Sequence, residues 1–232
     1  MHIPKTGGES IETFFVGKPL NKPGSDTSGL PEKHLSASSL QKKYPHEWDT
    51  YLTFSIVRNP WDRVLSSFCY TNLHFRKYNR LTSNKKLQLL AYLLRTIDFR
   101  KGSVLDVLFI KGKIGVDVVM HFENLKQDFK NLCIKLGLPS SSKLPHKNKS
   151  EVRMHYSIYY TRLTREIVRY LYRDEIDYFG YVFEDKSKKS IVLLPKIIVV
   201  ITAIFLVKIA LFTAFCMRIK RIVINKYKSM CR

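Results

Sequence analysis

The chain has 232 residues, with 40 Lys and Arg against 19 Asp and Glu, a formal charge of +21. At 45% apolar and 12% aromatic it is too hydrophobic for a disordered basic tail, and its length suits one domain with a real core rather than a two-domain enzyme. Eleven basic residues and no acid lie in 186–232, so the first 185 residues carry 29 bases against 19 acids, a surplus that suggests a nucleotide, nucleic acid or acidic polysaccharide as partner.

The chain opens His2-Ile3-Pro4-Lys5-Thr6-Gly7-Gly8-Glu9-Ser10, and then Ile11, Phe14 and Phe15 fall at helical spacing. Such an opening can cradle a phosphate: glycines let amide N–H groups approach an anion, the helix start adds donors and a favourable dipole, and Lys5 supplies a point charge. It is not a Walker A loop, since the lysine precedes the glycines and no magnesium-binding hydroxyl pattern follows. Met1, His2 and Ile3 alone precede Pro4, so the strand that should feed this loop is expected to be truncated. No secretory signal is read at this end.

Asn21 to Ser28 reads as a loop, and Tyr51 to Val57 as a buried strand ended by Arg58-Asn59-Pro60. Asp62 to Tyr70 follows as a helix, with Asp62 as cap and Val64, Leu65 and Phe68 on its apolar side. Arg58, at the carboxyl end of a strand, and Ser66, eight residues on, can together hold a phosphate dianion; the competing reading pairs Arg58 with Asp62. Leu87, Leu90, Leu94 and Ile97, widened by Leu93, form the core face of a further helix. Val116 to Phe122 is a second strand, and Leu125 to Leu136 a helix closed by Gly137 and Pro139. Ser140 to Lys149 is a loop, and a last helix, about Thr161 to Arg173, precedes the aromatic run Tyr178 to Phe183. Strands alternating with helices predict an α/β fold with a mainly parallel sheet.

Cys69, Cys133, Cys216 and Cys231 occur singly, without ligand-type spacing, so no structural zinc is expected and the redox compartment stays open. Residues 197–217 are apolar apart from Lys208, long enough for a candidate transmembrane helix within a basic tail, 186–232; an amphipathic surface segment is the alternative.

Three motifs in order, HIPKTGG, VRNPWDRVLSSF and HFENL…DF…LGL…LPHKNKS, resemble the carbohydrate sulfotransferases of the Golgi type, close to the chondroitin and heparan branches. The resemblance covers roughly residues 1–184. It implies a P-loop-like three-layer sandwich with a central parallel sheet over 1–185, and 3′-phosphoadenosine 5′-phosphosulfate (PAPS) as sulfuryl donor, with no metal. By motif, Lys5, Thr6, Gly7, Gly8 and Ser10 match the loop for the 5′-phosphosulfate, and Arg58 and Ser66 the pair for the 3′-phosphate. Asn148 and Ser150, with Lys149, match a late loop that closes over the nucleotide; Asn148-Lys149-Ser150 is also a glycosylation sequon, expected to be unmodified there.

His34, in Glu32-Lys33-His34-Leu35-Ser36-Ala37, matches the family's histidine segment and is the leading candidate for the base that takes the acceptor proton, with Lys5 stabilising the leaving phosphate. His2 is expected to orient the loop and His121 to be structural, while His146 is an outside candidate for nucleotide contact. The resemblance further implies a carbohydrate acceptor, a membrane setting in the Golgi, and no nucleic-acid partner. The family's usual N-terminal anchor and stem are expected to be absent here. The alternatives are a P-loop nucleotide kinase or NTPase, and a non-catalytic basic relative that binds membrane or nucleic acid.

Overall fold

The protein is described by a computed structural model covering residues 1–17, 34–74, 85–96, 103–139, 144–145, 155–186, 198–210 and 212–213. Its helices are α1 (Gly8–Val16), α2 (Ala37–Lys43), α3 (Pro45–Thr50), α4 (Pro60–His74), α5 (Lys85–Thr96), α6 (Val104–Leu108), α7 (Leu125–Lys135), α8 (Arg162–Leu171) and α9 (Arg173–Phe179). Its strands are β1 (Phe54–Val57), β2 (Phe109–Ile110), β3 (Lys113–Ile114) and β4 (Val118–His121). Two compact units result, one from Met1–Cys69, Gly102–Arg153 and Asp174–Val182, the other from Tyr70–Lys101, Met154–Arg173 and Phe183–Arg232.

In the first unit β1 and β4 run parallel, with Ile56 opposite Met120 and Val57 opposite His121. Side chains alternate across a sheet, so this register decides what each face meets. Ile56 and Met120 pack with Ile11 of α1 and with Phe129, Leu132 and Cys133 of α7. Val57 packs with Ile3 and with Val104 and Leu108 of α6 on the other face. Both faces are therefore covered by helices, in a mixed α/β arrangement that is mostly helical. The Thr53 carbonyl accepts from the amides of Asp117 and Val118 at the start of β4, so the next carbonyl, that of Phe54, points the opposite way; there it accepts from the Met1 amino group at 3.0 Å. Met1 to Ile3 thus lie along the other edge of β1, and Ile3 is buried.

Both strands are shorter than the apolar runs predict. Tyr51 caps α3 and is 69% exposed, and Thr53 is tied sideways, its N–H and hydroxyl both donating to Asp117 Oδ2 at 2.7 Å. Beyond His121 the chain turns into a 3₁₀ segment, Phe122–Asn124. α4 starts two residues earlier than expected because Pro60 suits its first position and Asn59, not Asp62, caps it: Asn59 Oδ1 accepts from the Trp61 amide at 3.1 Å. β2 and β3 form a hairpin through Lys111 and Gly112, both at positive φ (50° and 77°), as a tight primed turn requires. Ser103 caps α6 through a capping box with Asp106.

In the second unit α5 packs against α8. The buried face of α5 is Leu89, Tyr92 and Leu93; Leu87 is 52% exposed, so the expected stripe is rotated, with Leu90 and Leu94 at its flank and Ile97 outside the described residues. Tyr156, Tyr160 and Phe183 form an edge-to-face cluster, with the Arg165 guanidinium 4.7 Å from the Phe183 ring centre. The last predicted helix divides, with Thr161 capping α8 and α9 beginning at Arg173.

The candidate membrane span is not supported. Residues 198–210 are helical, but no helix among the described residues is long and apolar enough to cross a membrane. One stripe of that segment, Val199, Ala203 and Val207, is buried at four-residue spacing, the pattern of a helix packed on protein.

Candidate functional site

The opening loop turns through two residues at positive φ, Lys5 (66°) and Gly7 (87°). Glycine accepts that conformation freely; lysine does so at a cost of about 1–2 kcal/mol, which other contacts must offset. Thr6, buried between them, donates its hydroxyl to the Ile3 carbonyl at 2.7 Å. The Ser10 amide closes the first turn on the Gly7 carbonyl at 3.0 Å. Gly7 is the N-cap and no side chain caps α1, so no side chain stands between the helix N-terminus, with its favourable dipole, and an anion.

Two aromatic rings explain both glycines. A Cβ on Gly7 would meet Phe122 at 3.2 Å and Leu125 at 3.4 Å. A Cβ on Gly8 would fall 2.3–2.8 Å from three atoms of the His2 ring. Glu12 Oε1 lies beside that ring, 2.9 Å from His2 Nδ1. His34 stands beside it, with ring centres 5.1 Å apart and Nδ1 3.0 Å from the His2 carbonyl. A carbonyl only accepts, so His34 Nδ1 is the donor in that bond, and in an imidazole carrying its one proton there Nε2 is the acceptor of the exposed ring.

Arg58 reaches the same loop from the end of β1. Its Nε donates to Asp62 Oδ2 at 2.9 Å, with Nη2 in ion-pair contact with the same oxygen at 2.8 Å, and its Nη1 donates to the Lys5 carbonyl at 2.8 Å. The guanidinium carbon stacks 3.9 Å from the centre of the Phe122 ring. Ser66 lies half-buried one turn beyond Asp62, on the same face of α4. Burial holds the Lys5 ammonium below the ordinary lysine pKa, with Arg58 adding to the effect and Glu9 and Cys69 opposing it.

Lys5, Thr6, Gly7, Gly8, Ser10 and Arg58 thus meet around one loop, with His34 on its histidine side. Asn148, Lys149, Ser150 and His146 lie outside the described residues. His121 lies between sheet and aromatics, its amide donating to Asp128 Oδ2 at 2.7 Å and its ring 6.2 Å from that of Phe179. Sequence reasoning missed Glu12 and Phe122, which only the fold brings to the loop, and also Glu123, whose Oε1 accepts from the Asn59 amide at 2.6 Å. It missed Glu175 too, buried and accepting from Arg63 and from the first amide of α6. Burial, with Glu123 and Glu175 nearby, pushes the Tyr181 phenol far above its usual range. Among the described residues, no three His, Cys, Asp or Glu converge as metal ligands do.

Comparison with known proteins adds three findings. The model of a family described as the sulfotransferase family matches residues 1–182. An uncharacterized protein of Archaeoglobus fulgidus is similar to this chain, 31% identical over 99 residues, a stretch that covers 40% of this chain and 72% of that protein. No solved structure matches.

Proposed function

We propose that this chain, which belongs to the sulfotransferase family, moves a sulfuryl group from PAPS to a hydroxyl of a carbohydrate, a glycosaminoglycan or related glycan. The observation that carries the reading is the uncapped start of α1, with Lys5 turned into the left-handed region beside it and His34 close by. A phosphosulfate is an anion of the size and charge that such amides and a lysine recognise. The family supplies the donor class; the loop residues Lys5, Thr6, Gly7, Gly8 and Ser10 are chemically suited to its 5′ end, and Arg58 and Ser66 to its 3′-phosphate. Asn148 and Ser150 would close over the nucleotide. A glycan acceptor would put this work in the Golgi.

PAPS supplies an activated sulfuryl group on a phosphate that leaves readily. The protein supplies positioning and charge, as in phosphoryl transfer. His34 Nε2 accepts the proton of the acceptor hydroxyl as the new oxygen–sulfur bond forms and the bond from sulfur to the 5′-phosphate oxygen breaks. Lys5 Nζ donates to that leaving oxygen. The remaining surplus of basic residues suits a polyanionic acceptor.

The test is transfer of radiolabelled sulfuryl from PAPS to a panel of chondroitin, heparan and desulfated glycans, with His34→Ala and Lys5→Ala beside the natural chain. His34→Ala should abolish transfer while donor binding stays near normal, and Lys5→Ala should lower turnover strongly while weakening donor binding modestly. Full transfer by His34→Ala would remove it as the base, and no transfer to any glycan by a chain that binds donor would overturn the carbohydrate acceptor.

A further inference from the structure

Arg58 is matched to the 3′-phosphate, yet the group it grips here belongs to the other end of the site. Its Nη1 donates to the Lys5 carbonyl at 2.8 Å, and Lys5 holds a conformation (φ 66°) that a lysine leaves unless something retains it. Three features keep the guanidinium in place. Asp62 takes its side edge through Nε and Nη2. The guanidinium carbon sits over the Phe122 ring, 3.9 Å from its centre, and the same ring is what a Cβ on Gly7 would crowd at 3.2 Å. Glu123 anchors the next residue by accepting the Asn59 amide at 2.6 Å. A guanidinium has five N–H groups and the hydrogen bonds from Nε and Nη1 use two, which leaves N–H groups on both terminal nitrogens for a ligand.

We infer that Asp62 and Arg58 are positioning residues for the glycine loop itself, so that the loop's affinity for a 5′-linked anion depends on them even when the ligand has no 3′-phosphate. The inference rests on the proposed donor and deepens it. One side chain serves both phosphate ends: Asp62 fixes the guanidinium, the guanidinium fixes the Lys5 carbonyl, and Lys5 and Gly7 aim the amides of α1. Lysine at position 58 would keep the charge and lose the bridge, since an ammonium cannot hold Asp62 and the Lys5 carbonyl in one plane.

The experiment is calorimetric binding of adenosine 5′-phosphosulfate, which lacks the 3′-phosphate, and of 3′-phosphoadenosine 5′-phosphate. The proteins are the full natural chain, Arg58→Lys and Asp62→Asn, each checked for its thermal unfolding transition. Electrostatics alone gives the opposite sign to the clamp in Asp62→Asn: removing a negative charge beside an anion site tightens binding, whereas losing the clamp weakens it. We expect adenosine 5′-phosphosulfate to bind about tenfold more weakly to both variants. Unchanged or tighter binding of that ligand by Asp62→Asn, or by Arg58→Lys should Asp62→Asn not fold, overturns the inference and leaves the donor assignment standing. Failure of the natural chain to bind either nucleotide overturns the donor assignment, and the inference with it.

Discussion

Replacing Gly8 with alanine tests whether the His2 ring is the reason for that glycine. In an ordinary helix the change gains about 1 kcal/mol, because alanine is the best helix former and glycine among the worst. Here the added Cβ would lie 2.3, 2.4 and 2.8 Å from His2 Cδ2, Nε2 and Cε1, well inside the separation of about 3.5–4.0 Å at which carbon atoms rest. The ring has little room to retreat, since Glu12 Oε1 already lies 2.9 Å from Nδ1 and the flanking Met1 and Ile3 are fixed along β1. Overpacking of this kind costs about 1–3 kcal/mol, so the net effect, after the helix-propensity gain, should be a loss of up to about 2 kcal/mol. Urea unfolding reads it as a lower midpoint at unchanged slope. In a His2→Ala background the obstacle is gone, and Gly8→Ala should become neutral or stabilising, a coupling of about 1–3 kcal/mol between adjacent sites. An equal penalty in both backgrounds, or none in either, would refute the reasoning.

Glu175 is buried and accepts from Arg63 and from the Val104 amide, so Glu175→Ala leaves a guanidinium and a helix amide without their carboxylate and should cost about 3 kcal/mol or more in urea unfolding. Asp117 accepts the amide and hydroxyl of Thr53, which lowers its pKa in the folded protein. Its contribution is then complete above the unfolded carboxylate value of about 3.9 and is lost as pH falls through the lowered one, so Asp117→Asn should flatten the acid limb of the stability curve. Burial lowers the Lys5 pKa, so affinity for 3′-phosphoadenosine 5′-phosphate should fall, as pH rises, earlier than an exposed lysine would allow. Lys5→Arg should move that fall to higher pH, and a shared profile would show that Lys5 is not the titrating group.

Local chemistry made much of the site legible. A lysine and two glycines ahead of an apolar helical pattern describe the loop without reference to anything distant, and Arg58 with Asp62 four residues on can be read as a pair on one helical turn. The parallel β1 and β4 followed from two apolar runs, each followed by a helix. What escaped depended on tertiary placement. His2 and Glu12 are ten residues apart, and only the turn at Gly7 folds them together. Phe122 reads as the end of a strand, yet the 3₁₀ turn after β4 lays its ring beneath Arg58. The face of α5 was set a residue or so off because leucines at 87, 89, 90, 93 and 94 support two overlapping stripes, and packing against α8 selects one. The tail was read for apolar length, whereas burial of Val199, Ala203 and Val207 reflects a packed stripe.

The most direct test of the donor assignment is calorimetric titration of the full chain with 3′-phosphoadenosine 5′-phosphate beside ATP. Saturable binding of the former, much weaker binding of ATP, and loss of that preference in Arg58→Ala is the predicted result. Equal affinity for the two nucleotides, or binding unaffected by Arg58→Ala, would contradict it.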